Sequence, residues 1–161
     1  MVEIFKNIFI GTDQECSFNP PSDFVIIHAC KNPCHAGAVG YRGSLPSNHP
    51  YYLVMENGQN LFLNMVDMER ELSPIYTHPI MKAAIAFIDK HIGERKILVH
   101  CNQGMSRSPS IVLLYLARIE AIPNDTYLNA VKGFQKLYPY FNPGRGISLY
   151  MNNNWAELIK K

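Results

Sequence analysis

No stretch of this chain is apolar over the roughly 20 residues that a membrane-spanning helix needs, so no span is expected. An excess of one charge is also lacking. Fifteen Lys and Arg against 13 Asp and Glu leave a net charge of +2, too little to argue for nucleic acid or an anionic membrane as main partner. Charged residues are 17% of the chain and hydrophobic ones 47%, which is globular composition rather than disorder. The start, Met1 to Lys6, has no basic segment followed by an apolar run, so a secretion signal is not expected and a cytoplasmic location is. Cysteine is sparse: Cys16, Cys30, Cys34 and Cys101. Without a secretion signal these read as reduced thiols, not a disulfide framework. Repeats are absent, and residues 1–161 are expected to form one domain, as a monomer.

What is present is a sequence of short elements. Val2 to Phe5 and Ile8 to Ile10 read as a hairpin or two edge strands, and Phe24 to Ile27 as a strand buried on both faces. Residues 31–50 hold several Pro and Gly and no period, and a structureless connection this long is usually functional. Tyr52 to Met55 and Leu61 to Met65 flank a Gly-containing turn. Pro79 is expected to open a helix running to Ile92, with Gly93 as its stop. A strand at 97–99 leads into a buried helix from Ser110 to Ala121. Further helices are expected over 127–138 and 147–159. Helix and strand alternate in the second half, so an α/β fold is expected: a mixed, mainly parallel sheet flanked by helices, with strand 97–100 at its centre.

The chemistry concentrates in Lys96 to Ser110. A strand, a tight loop and a helix in that order point several backbone N–H groups into one concavity at the positive end of the helix. Cys101 opens the loop and Arg107 closes it. A cysteine attacks as its thiolate, which a helix N-terminus, converging N–H groups and a nearby arginine all favour. The phosphate-binding set is therefore Asn102, Gln103, Gly104, Met105, Ser106 and Arg107. Gly104 lets the backbone come close, and the planar fork of Arg107 can hold two phosphate oxygens. Ser108 can give its hydroxyl to the Cys101 sulfur when that sulfur must leave. His100 is expected to brace the loop by hydrogen bonds.

His100-Cys101-x-x-Gly104-x-x-Arg107-Ser108 resembles the signature of the cysteine-dependent protein tyrosine phosphatases, most closely their small, atypical dual-specificity branch. Ile8 to Gly11, Phe24 to Ala29 and Asn142-Pro143-Gly144 resemble further family segments, so the likeness covers most of the chain. It implies a dual-specificity phosphatase-like fold with no cofactor and no metal. It implies that Cys101, Arg107, Asp67 and Ser108 are catalytic. Asp67 lies 34 residues before Cys101, where the family keeps its general acid; Glu69 and Glu71 are nearby substitutes. The substrate implied is a phosphoprotein: phosphotyrosine, with phosphoserine and phosphothreonine left open. Alternatives are a phosphoinositide or RNA 5′-phosphatase, and a non-catalytic phosphoprotein-binding module. The uncharged side chains of the loop argue against a polyanionic substrate. Arsenate reduction would need further cysteines placed to resolve the intermediate.

Two features lie outside that signature. His28-x-Cys30-x3-Cys34-His35 holds four residues able to ligate zinc, but the spacing is unusual and Pro33 intervenes, so metal is not expected there. If strands 24–29 and 97–100 are parallel, Cys30 lies at the same sheet end as Cys101, which makes Cys30 a candidate redox partner through a disulfide. Segment 31–50, with His35, Tyr41 and Arg42, is a candidate wall of the substrate cleft.

Overall fold

The apolar runs of the sequence assemble into one six-stranded sheet in the computed structural model, which describes residues 1–161. The strands are β1 (Val2–Phe5), β2 (Ile8–Gly11), β3 (Phe24–His28), β4 (Val54–Asn57), β5 (Asn60–Leu63) and β6 (Lys96–His100). Their order across the sheet is β1-β2-β6-β3-β5-β4. β2, β6, β3 and β5 run parallel, and β1 and β4 close the two edges antiparallel. β6 is central as expected, flanked by β2 and β3 with Ile97 beside both Ile8 and Val25. β2 is thus an interior strand, not an edge.

Alternation along the central strands gives the sheet two unlike faces. Val25, Ile27, Ile97 and Val99 join a core of 37 buried residues with the helices. His28, Phe62 and His100 lie on the other face, where Phe18 packs edge-on to both His28 and Phe62. The helices are α1 (Ala36–Val39), α2 (Pro74–His91), α3 (Arg107–Arg118), α4 (Tyr127–Leu137), α5 (Arg145–Asn153) and α6 (Trp155–Leu158). Every residue of α3 from Ser108 to Ala117 is buried, consistent with its almost uniformly apolar sequence.

Several boundaries differ from expectation. α2 begins at Pro74, so Pro79 lies inside the helix. The bond Pro79 cannot make would go to the carbonyl of Ile75, an exposed residue that water can reach. Residues 31–50 are not wholly irregular: a wide helical turn, Lys31–His35, runs straight into α1. The expected last helix is two, broken at Asn154, whose side-chain amide donates to the Tyr150 carbonyl and competes with the helical ladder.

Candidate active site

Between β6 and α3 the chain folds back through residues 101–106. Gly104 makes that path possible. Its φ is +71°, and a Cβ there would stand 2.9 Å from the carbonyl oxygen of Gly11 at the end of β2. The Gly104 carbonyl in turn accepts a 2.8 Å hydrogen bond from Tyr138 Oη. The loop is therefore held between a strand end and the residue that ends α4. Burial, and then the charge of Cys101, push the Tyr138 hydroxyl up from its ordinary value, which keeps it a donor.

Cys101 is only 2% exposed, and its Sγ lies 3.2 Å from Ser108 Oγ on the first turn of α3. Ser106 occupies the N-cap position of α3 but does not cap it. The first N–H groups of the helix thus keep no side-chain partner, as an anion site at a helix N-terminus requires. Asn102 does more than supply a backbone donor. Its Nδ2 donates to Asp13 Oδ2 at 3.2 Å and to the Asn32 carbonyl at 3.0 Å, while its Oδ1 accepts from Arg107 Nη2 at 2.7 Å. Gln103 is exposed and Met105 half-buried.

Arg107 and Asp67 face each other. Arg107 Nη1 donates to the Met65 carbonyl at 3.0 Å, and Nε stands 3.3 Å from Asp67 Oδ2. The Nε–H makes no aligned hydrogen bond, so that contact is one of charge. The other carboxylate oxygen, Asp67 Oδ1, accepts from Ser106 Oγ at 3.0 Å, and Ser106 Oγ accepts from the Gly144 N–H at 2.9 Å. The segment carrying Asp67 is pinned by the 142–146 turn. The Gly146 N–H donates to the Met68 carbonyl, its carbonyl accepts from Leu72, and Arg145 Nη1 donates to Glu69. A Cβ on Gly146 would collide with the Met68 and Arg70 carbonyls. Of the nearby acids, Glu71 accepts from Asn153, away from Arg107.

A cavity of about 390 Å³ opens beside Asp67, Gln103, Ser106, Asn142 and Gly144. Segment 31–50 does not line it. Lys31, Ser44 and Leu45 face a neighbouring hollow of about 560 Å³ bounded by Met65 and Tyr76. His35 is buried, with Nδ1 on Tyr41 Oη at 2.7 Å and Nε2 on the Tyr51 carbonyl at 2.8 Å. His35 and Tyr41 therefore brace this segment from within. Ser106 belongs to the expected phosphate-binding set, but its link to Asp67 was not readable; for Gly144 and Gly146 the Asn142-Pro143-Gly144 turn was the only signal.

His100 is fully buried, with Nδ1 3.2 Å from the Cys101 carbonyl oxygen, consistent with a brace. Burial works against its charged form, yet hydrogen bonding with Cys16 and the charge of Cys30 outweigh it and leave His100 raised. Cys30 and Cys101 do lie at one end of the sheet, where the Ala29 N–H bonds to the His100 carbonyl. Their side chains, however, leave the sheet on opposite faces. Cys30 packs with Cys34 and Phe62, and Cys101 belongs to the main core. The structure does not bring those two sulfurs together, because residues 29 and 30 alternate across the pleat.

No protein-family model matches the chain. A tyrosine-protein phosphatase of Saccharomyces cerevisiae, MSG5, is 35% identical over 72 residues, which are 44% of this chain and 14% of the yeast protein. The chain thus aligns with about a seventh of that relative's length. Among solved structures, a human tyrosine phosphatase-like serine/threonine/tyrosine-interacting protein superposes with a TM-score of 0.63 at 19% identity, covering 98% of this chain and 97% of the other. Human DUSP28 superposes at 0.61 with 16% identity over 98% and 97%. The fold is that of the dual-specificity phosphatases, and the resemblance to cysteine-dependent tyrosine phosphatases extends from the loop to the whole sheet.

Proposed function

We propose that this protein hydrolyses phosphate monoesters on phosphotyrosine of protein substrates, with phosphoserine and phosphothreonine as further candidates, through a phosphocysteine. The observation that carries the reading is the grouping of Cys101, Ser108, Arg107 and Asp67 around one loop at the N-terminus of a buried helix. In the first step the Cys101 thiolate attacks phosphorus and the bond to the leaving oxygen breaks. Asp67, carrying a proton, transfers it to that oxygen. In the second step water attacks phosphorus, the Asp67 carboxylate takes its proton, and the phosphorus–sulfur bond breaks to restore the thiolate. Ser108 Oγ is placed to donate to the departing sulfur. Arg107 and the N–H groups of residues 102–107 meet the charge on the equatorial oxygens. For this, Arg107 exchanges its contact with Asp67 for one with phosphate.

The loop side chains Asn102, Gln103, Met105 and Ser106 carry no charge, which supports a cargo with a single phosphoryl group. No helix is long and apolar enough to cross a membrane. A reducing compartment, such as the cytoplasm, suits a mechanism that needs a free thiolate, and the site as drawn needs only one chain.

The test is hydrolysis of para-nitrophenyl phosphate by wild type, Cys101→Ser and Asp67→Ala, followed by phosphopeptide, phosphoinositide and 5′-phosphorylated RNA panels. Cys101→Ser is expected to be inactive, and Asp67→Ala to turn over on the order of 10²- to 10⁴-fold more slowly while still holding substrate. Wild-type activity in Cys101→Ser would overturn the mechanism. Turnover confined to phosphoinositides or RNA would overturn the substrate class. Phosphopeptide binding without any turnover would make the protein a binding module.

A further inference from the structure

On the face of the sheet opposite the main core, four side chains that the mechanism does not use as reacting groups converge. Cys16 Sγ lies 3.5 Å from His28 Nδ1, His28 Nδ1 lies 2.7 Å from His100 Nε2, and His100 Nε2 lies 3.8 Å from Cys34 Sγ. All four donor atoms fall within 4.8 Å of one another. His28, Cys34 and His100 are wholly buried, and Cys16 is half-buried at the solvent side.

The hydrogen bonds around the two imidazoles fix which nitrogens carry protons. Asn60 Nδ2 donates to the Phe18 carbonyl at 2.8 Å, so Asn60 Oδ1 is the atom that faces His28 Nε2, also at 2.8 Å. An amide oxygen only accepts, so His28 Nε2 holds the proton and its Nδ1 presents a lone pair. His100 Nδ1 faces the Cys101 carbonyl oxygen, another pure acceptor, so His100 Nε2 presents a lone pair as well. Two buried lone pairs therefore point at each other across 2.7 Å. Something positive must lie between them, either one extra proton or a cation.

We propose that Cys16, His28, Cys34 and His100 form a tetrahedral metal site of the zinc type. Two sulfurs and two imidazoles are the donor set that selects zinc among the common divalent ions. With bonds of about 2.3 Å to sulfur and 2.0 Å to nitrogen, ligand atoms around tetrahedral zinc stand roughly 3.3–3.8 Å apart. The ion would part the two ring nitrogens, now 2.7 Å apart, by about half an ångström. Binding a dication releases the two thiol protons and leaves an uncharged centre, which suits a buried position. The outer partners are already in place, since Asn60 and the Cys101 carbonyl orient the two rings. Cys30 packs beside Cys34 but stands outside the four.

Of the four residues first noted between 28 and 35, only His28 and Cys34 belong to this site. Its other ligands come from the loop after β2 and from the end of β6. A metal here would tie those segments together directly behind the phosphate loop. His100 precedes Cys101, so it is a positioning residue for the loop as well as a ligand.

The test reads metal, not turnover, so it stands apart from the proposed activity. The untagged full chain is purified without chelator, its metal content measured, and the metal-free protein titrated with cobalt(II). One zinc per chain is expected in wild type, Cys101→Ser and Cys30→Ser, together with the intense visible bands of tetrahedral, thiolate-bound cobalt. Both are expected to vanish in Cys34→Ser and in Cys16→Ser. Cys16 is half-buried, so Cys16→Ser should fold even if Cys34→Ser does not. The proposal is overturned if wild type holds no zinc and gives no tetrahedral cobalt spectrum, or if the bands disappear in Cys101→Ser or Cys30→Ser while surviving in Cys16→Ser. Intact mass that places a Cys16–Cys34 disulfide in the purified protein, or nitrogen NMR that finds a lasting imidazolium between His28 and His100 in the presence of zinc, would overturn it too.

Discussion

Replacing Gly104 with alanine isolates what the close approach of the 101–106 loop to β2 is worth. Two costs add. A residue with a Cβ at φ +71° is strained by about 1–2 kcal/mol. The new methyl would also stand 2.9 Å from the Gly11 carbonyl oxygen, a backbone atom, and 3.5 Å from Tyr138 Oη. Gly11 is paired in register with His100 and cannot retreat without disturbing the central strand. The loop must move instead, and overpacking of this kind typically costs a further 1–3 kcal/mol. A total of about 3 kcal/mol lowers Tm by roughly 6–12 °C in a chain of this size. The same movement displaces the N–H groups proposed to hold phosphate, and a misplacement of about 1 Å costs on the order of 10² in turnover. Gly58→Ala is the control: φ is +60° there, but nothing lies within 4 Å of the added Cβ. It is expected to lose only the first cost, about 1–2 kcal/mol, and no turnover. Thermal denaturation and para-nitrophenyl phosphate hydrolysis of both variants decide the matter. If Gly104→Ala were no less stable than Gly58→Ala and turned over within twofold of wild type, β2 would not be confining the loop.

Tyr138→Phe removes the donor to the buried Gly104 carbonyl and is expected to cost about 1–3 kcal/mol in urea unfolding; an unchanged midpoint would mean that the bond is not formed in solution. Ser108→Ala should slow breakdown of the phosphocysteine on the order of 10²-fold, visible as a burst of one nitrophenol per chain before a slower steady state. Equal slowing of the burst itself would place Ser108 elsewhere in the reaction. Burial holds His35 below its ordinary value of 6.5, so the unfolded chain takes up that proton first as pH falls. The resulting stability is complete above about pH 6.5 and declines below it, by at most about 1.4 kcal/mol per pH unit for one proton. His35→Gln is expected to flatten that acid limb of a pH–stability profile, and parallel declines in the two proteins would refute the assignment.

How much could be read in advance followed how local each feature is. The loop between β6 and α3 was legible because Cys101, Gly104, Arg107 and Ser108 lie within one strand–loop–helix unit and their spacing is their geometry. Asp67 could be placed by its distance along the chain. Its contacts with Ser106 and Arg107 could not, since they depend on the 142–146 turn reaching across to hold the 67–72 segment. The structure in 31–50 was hidden because its brace comes from side chains, His35 and Asn64 meeting the Tyr51 and Tyr52 carbonyls, and these impose no hydrophobic period. The division of the last helix was hidden for the opposite reason. Ile147, Tyr150, Met151, Trp155 and Leu158 keep one buried stripe across the break, so the pattern reads as continuous while the backbone is not. Cys16 and His100 are 84 residues apart in the chain, and no spacing rule links them.

In the proposed hydrolysis, the contact between Arg107 and Asp67 bears on how a turnover ends. Once phosphate is free in the pocket and Asp67 has released the proton it took from water, its carboxylate is anchored a few ångströms from Arg107 by Ser106. A tethered anion of that kind competes at an effective concentration in the millimolar range, without waiting for anything to diffuse in. Asp67 is thus an internal rival of the product. Its return to Arg107 favours departure of inorganic phosphate, so removing the carboxylate should make phosphate a tighter inhibitor even as it slows the chemistry.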